Sequence, residues 1–122
     1  MIIRSGIDAI EIRRLEDVLQ RHGERFLLRV FTPQEIQLYR SRPPSLAARF
    51  AAKEAVSKAL GCGIGAVSWL DIEIVHNSAH QPCLVLYRQA LQEAQKSGIQ
   101  AWSVSLTHTQ DLAIAVVVAW GE

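Results

Sequence analysis

The apolar residues of this 122-residue chain change period from one segment to the next. Ile2 to Ile7 is a short stretch rich in β-branched residues that ends at Asp8, and helical spacing follows at Ile12, Leu15, Leu19 and Phe26. A strand leading into a helix is therefore predicted, with Gly23 interrupting the helical pattern. Thr32-Pro33 followed by Glu35 has the form of an N-cap, a first-turn proline and a capping-box acid, which predicts a second helix over Pro33 to Tyr39. Pro43-Pro44 predicts a break, and the alanine-rich run from Ser45 to Leu60 predicts the longest helix. Gly61, Gly63 and Gly65 end it and read as punctuation rather than as a phosphate loop.

From Trp69 the pattern is extended: Ile72 and Ile74, then Leu84 and Leu86, flank a polar connection with Asn77-Ser78 and Pro82, which predicts a hairpin. Arg88 to Ser97 suits a helix stopped by Gly98, and Trp102 to Leu106 with Leu112 to Ala119 suits a second hairpin turning near Thr107 to Asp111. The expected class is α+β, a small antiparallel sheet packed with a long central helix and shorter helices. No repeat, linker or low-complexity stretch divides the chain, so residues 1–122 are expected to form a single domain.

Composition narrows the partners. Hydrophobic residues make up 49% and charged residues 20%, the balance of a globular protein, and a formal charge of +1 gives no bulk attraction to nucleic acid or a membrane surface. The longest apolar run, Leu112 to Trp120, is about half of what a spanning helix needs. With no apolar leader after Met1, the expected location is the cytoplasm, and Cys62 and Cys83 are expected to be two reduced thiols without a function.

Several residues carry candidate chemistry. Asp8, where the first strand meets the first helix, is placed either to cap the helix or to hold a hard cation such as magnesium. At about 100° per residue Ala47, Ala51, Glu54 and Lys58 share one stripe of the long helix. Glu54 and Lys58 would then form either an exposed i,i+4 pair or a carboxylate for metal and an ammonium for phosphate. Arg14, Val18, Arg21 and Arg25 share another stripe, away from the apolar face, and would form either a solvated face or a basic surface for an acidic protein. His108 and Thr109 lie at a turn, where they would be solvated or bind phosphate, and His22, His76 and His80 have no zinc spacing with the cysteines.

Taken together, Gly6-Ile7-Asp8 with Glu11-Ile12-Arg13-Arg14, the run Arg49-Phe50-Ala51-Ala52-Lys53-Glu54-Ala55-Val56-Ser57-Lys58-Ala59, and Ser105-Leu106-Thr107-His108-Thr109 resemble the small, trimeric type of 4'-phosphopantetheinyl transferase, the holo-acyl-carrier-protein synthases. Phe31-Thr32 with Glu35, and Trp69 followed by Asp71-Ile72-Glu73-Ile74, extend the resemblance over nearly the whole chain. It implies a magnesium-dependent transfer of 4'-phosphopantetheine from coenzyme A to a serine of apo-acyl carrier protein, with release of adenosine 3',5'-bisphosphate, in support of fatty acid synthesis. Asp8 and Glu54 would carry the magnesium and Lys58 would neutralise a phosphate, these three forming the catalytic set. Arg49, Lys58, His108 and Thr109 would contact coenzyme A, and Arg14, Val18, Arg21 and Arg25 would dock the carrier. The proton acceptor stays open between Glu54 and a water on the metal. A homotrimer with active sites at subunit boundaries is also implied.

Two departures stand outside these motifs. Ala79-His80-Gln81 replaces a glycine-containing turn before Pro82, and Arg88 stands where a glycine is expected, which bears on the first hairpin and on subunit packing. A non-catalytic carrier-binding module would not need Asp8, Glu54 and Lys58 together, and a metal-dependent hydrolase of coenzyme A would not need the arginine stripe.

Overall fold

A computed structural model describes residues 1–122. The chain runs β1 (Ile2–Glu11), α1 (Ile12–His22), α2 (Glu24–Val30), α3 (Pro33–Tyr39), α4 (Pro43–Leu60), β2 (Ile72–His76), β3 (Pro82–Leu86), α5 (Arg88–Lys96), β4 (Ala101–His108) and β5 (Leu112–Gly121), with a 3-10 turn over Trp69–Asp71 before β2. The class is α+β. Its strands divide into two antiparallel sheets, one in the order β1-β5-β4 and one formed by β2 and β3. No helix is long and apolar enough to cross a membrane.

The long helix begins two residues earlier than the alanine run suggests. Pro43 and Pro44 occupy its first turn, where the missing N–H costs nothing, so they start α4 rather than break the chain before it. Gly61 closes it in the left-handed region at φ 80°, and Arg4 Nη1 donates to the Leu60 carbonyl at 3.3 Å, placing a cation on the helix C-terminus. Thr32 and Glu35 form the expected capping box at the start of α3.

β5 alternates between Ala113, Ala115, Val117 and Ala119, which are buried, and Val116, Val118 and Trp120, which are exposed. The small inward residues let α4 lie close to the sheet, packing Ala52, Ala55, Val56 and Ala59 into one apolar cluster with Ile72, Ile74, Ala90 and Ala94. A second cluster joins the first turns of α4 to α1, α2 and α3 through Leu15, Leu27, Phe31, Tyr39 and Leu46. Helix α4 thus runs through both.

The first strand is longer than its apolar run indicates, reaching Glu11, so Asp8 lies inside β1 opposite Ala115 and not at a helix start. It is therefore no helix cap: the residue at that position before α1 is Glu11, and it makes no side-chain cap. Gly23, with φ 48°, ends α1 and precedes α2, which takes Phe26 and Arg25 onto a separate helix. Both departures in the first hairpin region fall at positive φ, His80 at 61° and Arg88 at 46°, where glycine would be unstrained. The hairpin forms nonetheless. Arg88 is tied down by Nε to Asp71 Oδ1 at 2.9 Å and Nη2 to the Leu70 carbonyl at 2.8 Å.

Candidate active site

β1 crosses α4 at Gly6, where a Cβ would stand 1.9 Å from the Ala55 carbonyl oxygen. Only a glycine allows that approach, and it brings the residues two ahead on the strand against the helix. Lys58 Nζ donates to the Ile7 carbonyl at 3.0 Å and to Asp8 Oδ1 at 3.2 Å. The lysine pairs across to the strand, and the i,i+4 pair with Glu54 does not form.

Asp8 and Glu54 line one cavity of about 490 Å3, with Ile10, Leu15, Phe26 and Phe50 as its apolar walls. Partial burial, and then the negative charge of Asp8, push the Glu54 carboxyl above its usual range, while Lys58 pulls it the other way. Two carboxylates sharing a cavity repel each other, and a cation between them would reverse the sign of that interaction. Nowhere do three or more His, Cys, Asp or Glu side chains gather as a metal group. Two carboxylates suit magnesium, which binds through one or two carboxylates and completes its shell with water and substrate phosphate, and they do not suit a structural zinc.

Arg14 and Val18 of α1 line this same cavity, so the outer stripe of α1 borders the carboxylates directly. Arg21 is exposed further along α1. Arg25 departs from the expected stripe: the backbone break at Gly23 places it on α2, where it borders a separate cavity with His22, Phe26 and Arg29.

Arg49, His108 and Thr109 are not brought to the carboxylate cavity. Arg49 and His108 line a second one, of about 210 Å3, with Ser45, His80, Pro82 and Thr107. Arg49 is buried, donates from Nε to the Ile74 carbonyl at 3.4 Å and lies 3.8 Å above the Tyr39 ring. Desolvation lowers its pKa, opposed by Tyr39. Thr109 is absent from this lining: its Oγ1 accepts from the Asp111 and Leu112 N–H groups at 3.2 and 3.0 Å and closes the β4–β5 turn. Its hydroxyl proton alone stays available.

The sequence reading overlooked a buried network behind α4. Lys53 Nζ lies 2.7 Å from Glu35 Oε1 and donates to the Ile72 and Trp69 carbonyls at 2.5 and 3.0 Å. Glu35 accepts from the Thr32 and Ile74 N–H groups at 2.9 and 2.8 Å, and Thr32 Oγ1 passes its proton bond to Glu73 Oε2 at 2.5 Å. Tyr87 donates to the other Glu73 oxygen at 2.9 Å. A signal existed: Arg49, Lys53 and Ser57 are spaced four apart, a second polar stripe on α4 beside that of Glu54 and Lys58, and all three are buried. Cys62 and Cys83 are both free.

Comparison with known proteins gives the family and supports the fold. The 4'-phosphopantetheinyl transferase superfamily matches residues 4–117. The holo-[acyl-carrier-protein] synthase of Moorella thermoacetica is 50% identical over 120 residues, covering 96% of this chain and 93% of its own. That of Dehalococcoides mccartyi is also 50% identical, over 118 residues, covering 97% and 98%. The crystal structure of the Helicobacter pylori holo-[acyl-carrier-protein] synthase in complex with coenzyme A superposes with a TM-score of 0.87 at 39% identity, covering 95% of this chain and 99% of that one.

Proposed function

Because the chain belongs to the 4'-phosphopantetheinyl transferase superfamily, we propose that the cavity shared by Asp8 and Glu54 is where it acts on coenzyme A. Its reaction is the transfer of 4'-phosphopantetheine from coenzyme A to a serine of apo-acyl carrier protein. The serine oxygen bonds to the β-phosphorus, the bond from that phosphorus to the bridging oxygen breaks, and adenosine 3',5'-bisphosphate leaves. The observation that carries the site assignment is the meeting of Asp8, Glu54 and Lys58 across a strand–helix contact that only Gly6 permits.

In this reading Asp8 and Glu54 hold magnesium, which when bound offsets the charge of the pyrophosphate. Lys58, half-exposed and already turned to Asp8, presents its ammonium to a phosphate oxygen. Glu54 stands where it, or a water beside it, would take the serine proton. Arg14 and Val18 border the same opening, so a carrier docked on α1 through Arg14 and Arg21 brings its serine to these carboxylates. Arg25, on the next helix, extends the basic surface rather than continuing the stripe.

Arg49 and His108 are assigned to the nucleotide phosphates, with Thr109 contributing its hydroxyl proton. Because they stand in a different cavity from Asp8 and Glu54, a complete site is best made from two protomers. The outward face of the three-stranded sheet supports such an assembly: Ile3 and Ile7 are 65% and 61% exposed, and beside them Val116, Val118 and Trp120 form an apolar row. We take the assembly to be a homotrimer, the number following from the family resemblance, and the setting to be cytoplasmic carrier loading for fatty acid synthesis.

Titration of transfer with magnesium after chelation tests the metal assignment. Wild-type activity should vanish in chelator and return with magnesium, and Asp8→Asn and Glu54→Gln should stay inactive at any magnesium level. Full activity in chelator would overturn it.

A further inference from the structure

We propose that His80 is a further binding residue for coenzyme A, holding its 3'-phosphate together with Arg49 and His108. The proposal rests on the coenzyme A reading above and assigns one residue to one phosphate of that substrate.

The backbone at His80 has φ 61°, a region that disfavours most side chains and that glycine enters freely. The β2–β3 turn imposes this conformation without using the imidazole. Asn77 Oδ1 accepts from the Ala79 and Gln81 N–H groups at 2.9 and 3.0 Å. The Asn77 N–H donates to the Gln81 carbonyl and the His80 N–H to the Asn77 carbonyl, both at 2.9 Å. A side chain at position 80 is thus carried at a conformational cost that the turn does not require, and such costs concentrate where a side chain has a task.

Stacking decides where the ring points. His80 stacks on His76 with centroids 5.6 Å apart and planes 27° apart. His76 Nδ1 shares a 2.6 Å hydrogen bond with the Tyr39 hydroxyl, and the Tyr39 ring carries the Arg49 guanidinium at 3.8 Å. The column borders the second cavity, where Arg49, His80 and His108 meet the hydroxyl residues Ser45 and Thr107 and no carboxylate. Arg49 Nε donates to the Ile74 carbonyl, and no carbonyl or carboxylate of the chain holds its Nη groups. A guanidinium, two imidazoles and two hydroxyls without an acid form a donor set for a phosphate monoester. Coenzyme A carries one such group, its 3'-phosphate. Its pyrophosphate belongs with Asp8 and Glu54 in the other cavity.

Calorimetric titration with coenzyme A and with 3'-dephospho-coenzyme A tests this on the wild type, His80→Gly and His80→Asn, both replacements being tolerant of positive φ. The wild type should prefer coenzyme A. Each variant should bind coenzyme A about tenfold more weakly, the scale of one charge-assisted hydrogen bond, while its affinity for the dephosphorylated form stays within about twofold. Equal losses for both ligands, or none for either, would overturn the assignment. If the wild type bound neither ligand, the coenzyme A reading itself would fall, and His80 with it. If the wild type bound coenzyme A and loaded a carrier while the variants bound alike, the His80 assignment alone would fail.

Discussion

Lys53 Nζ and Glu35 Oε1 lie 2.7 Å apart with both side chains fully withdrawn from solvent, one on α4 and the other at the start of α3. The ion pair fastens the face of α4 next to the one that carries Glu54 to the chain around Trp69 and Ile72. Burial lowers the Lys53 pKa and Glu35 opposes that shift, so each charge is tolerated because the other is there. Lys53→Met should destabilise the protein by about 3–5 kcal/mol, the cost of stranding a buried carboxylate. Adding Glu35→Gln should recover part of this loss, since the carboxylate that faced Lys53 is then gone and Glu73 keeps its hydrogen bonds from Thr32 and Tyr87. Urea denaturation of both variants checks it, and a single variant as stable as wild type would contradict the role given to the pair.

Gly6→Ala should cost both stability and activity. The added Cβ would collide with the Ala55 carbonyl, a backbone atom that cannot turn away, so β1 must shift off α4 and carry Asp8 with it. A loss of about 1–3 kcal/mol in chemical denaturation is expected, with transfer falling much further than the folded fraction accounts for. Gly65→Ala provides the control: φ is 119° there but the space is open, so only stability should move.

Much of this was legible in the chain because local chemistry set it. Thr32, Pro33 and Glu35 announced α3, and Gly61 announced the end of α4. Asp8, Glu54 and Lys58 were singled out as candidates, and the structure brings them together. What failed to show was set by tertiary context. Pro43 and Pro44 look alike as breakers and as helix starters, and the outcome depends on whether the chain ahead already leads into the helix. The polar connection of the first hairpin gave no hint that His80 would share a cavity with Arg49, because that meeting spans residues far apart in the chain. Lys53 was hidden by its neighbour Glu54: adjacent residues on a helix point about 100° apart, so the stripe through Glu54 and Lys58 says nothing of the face that carries Lys53.

Glu54 should make metal-free stability depend on pH. Its folded pKa is raised, so the unfolded chain ionises first; the stability this group contributes is present below the ordinary glutamate pKa and is lost as pH rises through the folded value. Glu54→Gln lacks this titration. In chelator the variant should therefore gain on the wild type as pH rises from the ordinary glutamate range through the folded value, by less than about 1 kcal/mol because the carboxyl is only partly buried. Magnesium should raise the wild-type denaturation midpoint and leave the variant unmoved. Parallel pH profiles for the two proteins would argue against a shared carboxylate site.

Arg14→Glu with Arg21→Glu should raise the Michaelis constant for the carrier far more than that for coenzyme A. Both side chains are exposed on α1, away from buried Ile12 and Leu15, so reversing them opens no core cavity while turning attraction for an acidic surface into repulsion. Added salt should weaken wild-type carrier binding and narrow the gap, since exposed charges are screened over about 8 Å at physiological ionic strength. Steady-state kinetics at varied carrier and coenzyme A, with light scattering to check assembly, reads the outcome. Unchanged carrier kinetics would make α1 an ordinary solvated face.

The most direct test of the whole account is intact-mass measurement of apo-acyl carrier protein after incubation with this protein, coenzyme A and magnesium. The carrier should gain the mass of one phosphopantetheine group, with one adenosine 3',5'-bisphosphate released per carrier. A carrier lacking its acceptor serine should gain nothing, and neither should the wild-type carrier incubated with Asp8→Ala or Glu54→Ala, each correctly folded by circular dichroism. An unmodified carrier with the wild-type protein, or loading that proceeds normally with both variants, would contradict the account.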